Sequence, residues 1–216
     1  LGAIVASHGD DKGLVMPPSV APIQVVIIPI MSKDDSSSVI AESERITNEL
    51  KSSGIRTRLD SRDIRPGQKY YDWEIKGVPL RIEIGPRDLA NNSVMCARRT
   101  GGKESYSMDN LVETVHSELK SISSEMNKHS TGHFNSRIKP LPKFKREDST
   151  LVFDKDIEKG IVYEMAFDGN DAEAEIIEKN TDLSFLGDST TPFASDVRCC
   201  ITGKKTKRRV FLAKTY

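Results

Sequence analysis

Gly77-Val78-Pro79-Leu80-Arg81-Ile82-Glu83-Ile84-Gly85-Pro86-Arg87-Asp88-Leu89 reads as one strand between two stops. Leu80, Ile82 and Ile84 alternate with Arg81 and Glu83, so a period of two puts apolar side chains on one face and a cation and an acid on the other. Gly77 ends whatever precedes the strand, and Gly85-Pro86 ends the strand itself. Upstream, Pro66-Gly67 starts a helix over Gln68 to Lys76, and Arg56 to Asp60 alternates as a short strand. Before that, Val39, Ile40, Ser43, Ile46 and Leu50 recur at helical spacing and Gly54 stops them. The cluster Asp34-Asp35-Ser36-Ser37-Ser38 is fit to cap that helix. Val25 to Ile30 is continuously apolar, the pattern of a strand buried on both faces, with Pro29 near its end. Downstream, Ser93 to Arg99 and Glu104 to Met108 read as strands joined by a Thr100-Gly101-Gly102-Lys103 turn. A long helix follows, with Leu111, Val115, Leu119, Ile122 and Met126 on one face. The order β-α-β-α-β-β-β-α predicts an α/β domain, a mixed sheet flanked by helices.

Beyond it, Ile138-Lys139-Pro140-Leu141-Pro142-Lys143 has the composition of a linker. A small α+β unit follows. Ile157, Ile161 and Met165 predict a helix over Phe153 to Phe167, and Asn170 to Lys179 a second, with Asn170 and Glu173 spaced as a capping pair. Arg209 to Tyr216 is strand-like.

Bulk properties narrow the function. With 216 residues, 37% hydrophobic and 30% charged, the chain has room for one large domain or two small ones. No apolar run approaches the roughly 20 residues that span a bilayer. Leu1 to Ala6 lacks the basic flank of a secretory signal, and a start at Leu1 inside an apolar segment reads as that of a piece of a longer protein. Cys96, Cys199 and Cys200 do not make a disulfide framework, which fits a reducing cytosol. The net charge is zero but uneven. Arg56 to Lys103 holds eleven Lys and Arg against six acids, and Arg198 to the end holds seven with no acid. Asp168 to Asp188 carries seven acids and one Lys. Two basic regions in a neutral chain fit a surface that meets a polyanion, or a set of solvated faces. His8-Gly9-Asp10-Asp11-Lys12-Gly13 admits three readings: a divalent-metal site, a catalytic cluster or a charged turn.

The stretches HGDDKGLVMPPSVAPIQVVIIPI, LDSRDIRPGQKYYDWEIKGVPLRIEIGPRDL, RRTGGKE and the terminal VFLAKTY, in that order, resemble the C-terminal half of prolyl-tRNA synthetase. The variety resembled is the class II, archaeal and eukaryotic cytosolic one with an appended C-terminal domain, and the match runs essentially end to end. The resemblance implies residues 1–22 as the tail of a catalytic domain and its linker, 23–137 as the anticodon-binding domain, 138–148 as a linker and 149–216 as the C-terminal domain. It makes the HGDDKG segment an active-site wall, with His8 and Asp10 as supports, and brings Tyr216 near that wall. The signature motifs that grip ATP would lie upstream of Leu1, so this piece alone would be inactive. ATP and magnesium would belong to the full enzyme, a cytoplasmic homodimer formed mainly through its catalytic domain, and the piece alone would be monomeric.

The partner implied is proline tRNA, whose anticodons share guanine at the second and third letters. Guanine offers O6 and N7 as acceptors and N1 and N2 as donors, so its reader needs a cation and a carboxylate, with a ring or guanidinium plane for the unstacked base. By motif, the family's anticodon contacts carry over to Tyr70, Glu74, Arg81, Arg87, Asp88 and Lys103. Arg81, Arg87 and Lys103 would donate to O6, N7 or phosphate, Glu74 or Asp88 would accept from N1 and N2, and Tyr70 would supply stacking or an edge contact. Glu83 reads as a solvated strand residue.

In many relatives the last domain binds zinc through four cysteines. The matching positions here are Asp168, Glu173, Cys199 and Thr202, a poor ligand set, so no zinc is expected. Two other readings remain: a free-standing nucleic-acid-binding module of this fold, and a small metal hydrolase using His8, Asp10 and Asp11.

Overall fold

Helix α1 (Gly2–His8) begins a computed structural model that describes residues 2–31, 36–148 and 150–215. The chain divides into two compact units, 1–130 and 131–216. After α1 come strand β1 (Val25–Pro29), helix α2 (Ser36–Ser52), strand β2 (Thr57–Leu59) and helix α3 (Pro66–Ile75). Next are strand β3 (Leu80–Ile84), the short helix α4 (Pro86–Ala90), the hairpin β4 (Ser93–Arg98) and β5 (Lys103–Ser107), and helix α5 (Leu111–Ser136). The strand order is β2-β1-β3-β4-β5. β1 is parallel to β2 and β3, while β3–β4 and β4–β5 are antiparallel, so the sheet is mixed as expected. The expected capping residues Asp34 and Asp35 lie outside the described residues, as does Tyr216.

Both faces of this sheet are covered. Val25 and Ile27 of β1 with Leu80, Ile82 and Ile84 of β3 pack with α2 and α5 through Val39, Ile46, Leu50, Val115 and Ile122. Val26 and Ile28 project the other way, against Trp73 of α3 and Val78. Two polar residues of α2 are buried without penalty, because Ser43 and Thr47 each donate a hydroxyl to the carbonyl four residues back, at 2.7 Å. Glu118 of α5, also buried, accepts from Arg98 and from the Tyr106 hydroxyl.

Asp60 ties α3 to the end of β2. Only 4% exposed, its carboxylate accepts from Arg62 at 2.8 and 2.7 Å and from the Trp73 indole at 2.7 Å. Its carbonyl accepts from the ammonium of Lys69, which is itself buried. Burial pushes the Asp60 carboxyl up, but the bonds from Arg62 and Trp73 outweigh it and hold the pKa at about 2. A carboxyl depressed in the folded state stabilises it fully above the unfolded pKa of about 3.9, and the gain is lost as pH falls through the folded value. Asp60→Asn is therefore expected to cost about 2 kcal/mol at neutral pH. Urea midpoints of parent and variant should converge as the pH is brought down toward that folded value.

The second unit is built on strands β6 (Ile138–Pro140), β7 (Phe144–Glu147), β8 (Thr150–Phe153) and β9 (Val162–Ala166). Helix α6 (Asp171–Thr181) and strands β10 (Ser184–Asp188), β11 (Val197–Arg198), β12 (Lys205–Thr206) and β13 (Arg209–Ala213) complete it. One sheet runs β10-β13-β9-β6, and β7–β8 and β11–β12 are separate hairpins. The helix expected over Phe153 to Phe167 is not formed. Ile161, Tyr163, Met165 and Phe167 are all buried at a spacing of two, the period of a strand, and Gly160 sits at φ +72. The apolar residues at 157, 161 and 165 imitate a helical face. Residues 138–148 are not linker either, since β6 pairs in parallel with β9 and β7 pairs with β8. Pro140 is tolerated because β6 is an edge strand. No helix among the described residues is long and apolar enough to cross a membrane.

Candidate nucleic-acid interface

The register of the first sheet brings the candidate cations together. Arg81 of β3 stands opposite Val26 of β1 on one side and Ala97 of β4 on the other, and Ala97 stands opposite Lys103 of β5. Directly paired residues share a face, so Arg81 and Lys103 flank a small alanine on the face that carries α3. Lys103, expected in the turn, is the first residue of β5. Tyr70 comes from α3, and the Arg81 guanidinium lies over its ring at 4.0 Å from the centroid. That stacking fixes the plane of the guanidinium and is worth about 0.5–2 kcal/mol.

Beneath these groups lies Glu83, which sequence reading left in solvent. It is 6% exposed. Arg81 donates Nε to it at 3.1 Å and Lys103 donates Nζ at 2.9 Å. Burial pushes its carboxyl up, but hydrogen bonds from Lys103 and the Tyr70 hydroxyl, with the charge of Arg81, leave it below the ordinary value. Burial and the bond to Glu83 in turn push the Tyr70 phenol well up, so it stays protonated. The alternation of β3 marked Glu83 as off the main core. It could not show that α3 covers the second face.

The other candidates border the same surface. Tyr70, Glu83, Arg87, Asp88 and Lys103 line one pocket, and Glu74, Trp73, Arg81 and Lys103 line another. Arg87 is exposed. Asp88 directs one oxygen to the backbone N–H of Gly85 at 2.9 Å, closing the start of α4. Among the described residues Glu74 has one ion pair, a loose one with Lys12 at 3.5 Å, and its side chain is 32% exposed. Among the described residues Arg81 bridges to Glu83 and makes no ion pair with Glu74.

The HGDDKG segment forms a turn in the structure. Asp10 accepts from Arg99 at 2.8 and 2.5 Å and from the Lys12 backbone at 2.9 Å. The Arg99 bond chiefly holds the Asp10 carboxyl at about 2. Arg99, whose side chain is 4% exposed, also donates to the carbonyl of Glu74 at 3.1 Å, a clamp that sequence reading missed. Leu14 and Met16 then bond to the carbonyls of Ile75 and Gly77. Glycine is required at both contacts. Gly77 has φ +71, and a Cβ there would sit 2.6 Å from the backbone of Leu14; one on Gly13, at φ +125, would sit 2.7 Å from Ile75. His8 ends α1, and Asp11 is exposed. No group of three metal-ligating side chains occurs among the described residues.

The four zinc-like positions of the second unit do not fit zinc. Glu173 and Asn170 cap α6 reciprocally at 2.8 and 3.0 Å, the pairing expected from sequence. Cys199 is buried, which pushes its thiol up. Hydrogen bonds from the Thr202 hydroxyl and from the backbone of Thr202, Asp168 and Ile201 outweigh burial and bring it down. Asp168 and Thr202 thus meet Cys199 as hydrogen-bond partners, and three of the four side chains are oxygen donors unlike the thiolate or imidazole of a closed site.

Residues 24–118 match the family of anticodon-binding domains. That match lies within the first unit and takes in its whole sheet. Over its whole length the chain is 40% identical to the proline–tRNA ligase of Thermococcus kodakarensis, of which it covers 45%. It is 38% identical to the proline–tRNA ligases of Methanocorpusculum labreanum and Methanosarcina mazei, covering 44% of each. The match is to the C-terminal part of these proteins. The chain therefore spans a little under half the length of the curated relatives it matches. Within the matched residues, the row Arg81, Ala97, Lys103 lies on the face that carries α3.

Proposed function

We propose that this chain is the tRNA-binding part of a proline–tRNA ligase, and that the α3 face of its anticodon-binding domain reads the two shared anticodon guanines. The observation that carries the reading is the set of Arg81 and Lys103 on one sheet row, oriented by buried Glu83 and the Tyr70 ring, with Glu74 beside them. Arg81 spends Nε on Glu83 and keeps its two terminal nitrogens for guanine O6 and N7. Glu74 accepts from N1 and N2, because its ion pair with Lys12 is loose, whereas Asp88 is engaged at Gly85. Lys103 and Arg87 contact O6, N7 or phosphate, and the exposed edge of Tyr70 meets a splayed base. Asp10 and Arg99 hold the turn that borders α3, with His8 belonging to the wall toward the catalytic region.

The full enzyme would condense proline with ATP to prolyl-adenylate, releasing pyrophosphate, and pass the prolyl group to the tRNA 3′ end. That chemistry, with its magnesium, belongs to a catalytic region outside this chain, as does the main dimer contact. The three free cysteines fit a cytoplasmic setting. Zinc has no role in this reading, so dialysis against a strong chelator is expected to leave the melting of the second unit unchanged. A drop in its melting temperature, restored by zinc, would refute that.

The test of function is binding to a proline tRNA transcript and to one with both shared anticodon guanines replaced, at one fixed salt concentration. Loss of about 1–3 kcal/mol per guanine supports base reading. Equal binding to both refutes it.

A further inference from the structure

The basic tract from Arg198 onward takes no part in the site above, and the structure sorts its cations into two kinds. Arg208 pairs with Asp188 at 3.0 Å and lies over Phe167, Arg209 pairs with Glu164 between Phe193 and Phe211, and Lys214 pairs with Asp182. These hold the second unit together. Lys204, Lys205 and Lys207 have exposed side chains with no ion pair among the described residues, and Arg198 reaches only the carbonyl of Gly203, at 3.1 Å.

Three of the four unneutralised cations, Arg198, Lys204 and Lys205, sit on one small hairpin, and Lys207 immediately follows it. β11 and β12 pair antiparallel, with Arg198 directly opposite Lys205. Side chains of directly opposed residues share a face, and like charges there destabilise the pairing. Lys207 lies two residues beyond Lys205, just past the end of β12, and its carbonyl accepts from the Phe193 N–H at 3.0 Å. The nearest acid in sequence, exposed Asp196, offsets one of the four charges. A ribbon of two residue pairs is marginal by itself. Placing a like-charge pair at its centre makes sense when the counter-charge comes from a partner.

We propose that the β11–β12 hairpin is a second RNA contact, one that grips phosphates and reads no base. Lysines on a short ribbon supply charge without the bidentate geometry that a guanine reader needs. The choice of RNA over other polyanions rests on the tRNA-binding reading above.

The experiment compares the 216-residue chain with its Lys204→Ala/Lys205→Ala/Lys207→Ala variant, on the parent and guanine-replaced transcripts, across a salt series. The variant should lose roughly tenfold in affinity, equally on both RNAs, and the log–log salt slope should shrink by about 2. A variant with Arg at all three positions should restore both. Removing like-charge repulsion should leave melting unchanged or slightly raised, which separates the loss from misfolding. Unchanged affinity and slope on both RNAs would overturn the proposal and point to an acidic protein surface instead. A loss confined to the guanine-bearing RNA would overturn it as well, by making the hairpin a base reader. If the parent chain binds both RNAs equally, the anticodon reading fails while the comparison of parent with variant still decides this one.

Discussion

Glu83→Ala is expected to destabilise the first unit by about 3 kcal/mol and to abolish preference for the anticodon guanines while leaving general RNA adhesion intact or stronger. Glu83 receives Arg81, Lys103 and, through its hydroxyl, Tyr70 at a position that is 6% exposed. Removing the carboxylate strands the Arg81 guanidinium, whose side chain is 22% exposed, next to a second cation. The Lys103 side chain is 49% exposed, so water takes over part of its lost partner, and the figure falls at the low end for a broken buried pair. Glu83→Gln keeps the shape and loses the charge. Its folded pKa is depressed, so the carboxylate stabilises the fold above the unfolded value of about 4.3, and the gain fades as pH falls below that. The urea-midpoint difference between parent and Glu83→Gln should therefore be widest near neutrality and close in acid. For RNA the two effects separate: one less acid on a basic face favours phosphates, while loss of the bond that aims Arg81 removes the directional donor. A variant that kept full discrimination would show that Glu83 does not position the readers.

Arg81→Ala should weaken binding to the guanine-bearing transcript by about 1–3 kcal/mol, on the order of 10- to 100-fold, with a much smaller effect once the guanines are replaced. The guanidinium is held at two points, by Glu83 through Nε and by the Tyr70 ring at 4.0 Å. Preorganisation of that kind lowers the ordering cost of binding. Arg81→Lys provides the sharper measurement. It keeps the charge and the salt slope but loses the planar fork, so discrimination should fall while electrostatic attachment stays. Equal losses on both transcripts would make Arg81 a phosphate contact, and the assignment of base reading would move to Lys103 or Arg87.

Much of this architecture follows from local pattern. The alternation of Leu80 to Ile84, the unbroken Val25 to Ile28 and the helical spacing of Leu111 to Met126 each state a period, and period decides element type when one face is buried. The reciprocal cap of Asn170 and Glu173 needs only three residues of separation and was legible for that reason. The second unit is where local pattern misled. Residues 157, 161 and 165 satisfy a helical spacing, while 161, 163, 165 and 167 satisfy a strand spacing, and only pairing of β9 with β13 and β6 chooses between them. The linker-like Pro140 and Pro142 likewise conceal an edge strand, since an edge tolerates what a central strand refuses.

The site divides in the same way. The residue types that could read guanine, and the strand and helix that carry them, are properties of the sequence. That Arg81, Ala97 and Lys103 form one row depends on the pairing register of three successive strands, which no single strand's pattern states. That Glu83 lies under them depends on α3 covering the second face of the sheet. The part of Asp10 in bonding Arg99, 89 residues away in sequence, also exists only once the chain has folded. Periodicity reports which face of its own element a side chain occupies, and burial of that face is decided by the partner packed against it, so the carboxylate that orders the readers was visible only in the tertiary structure.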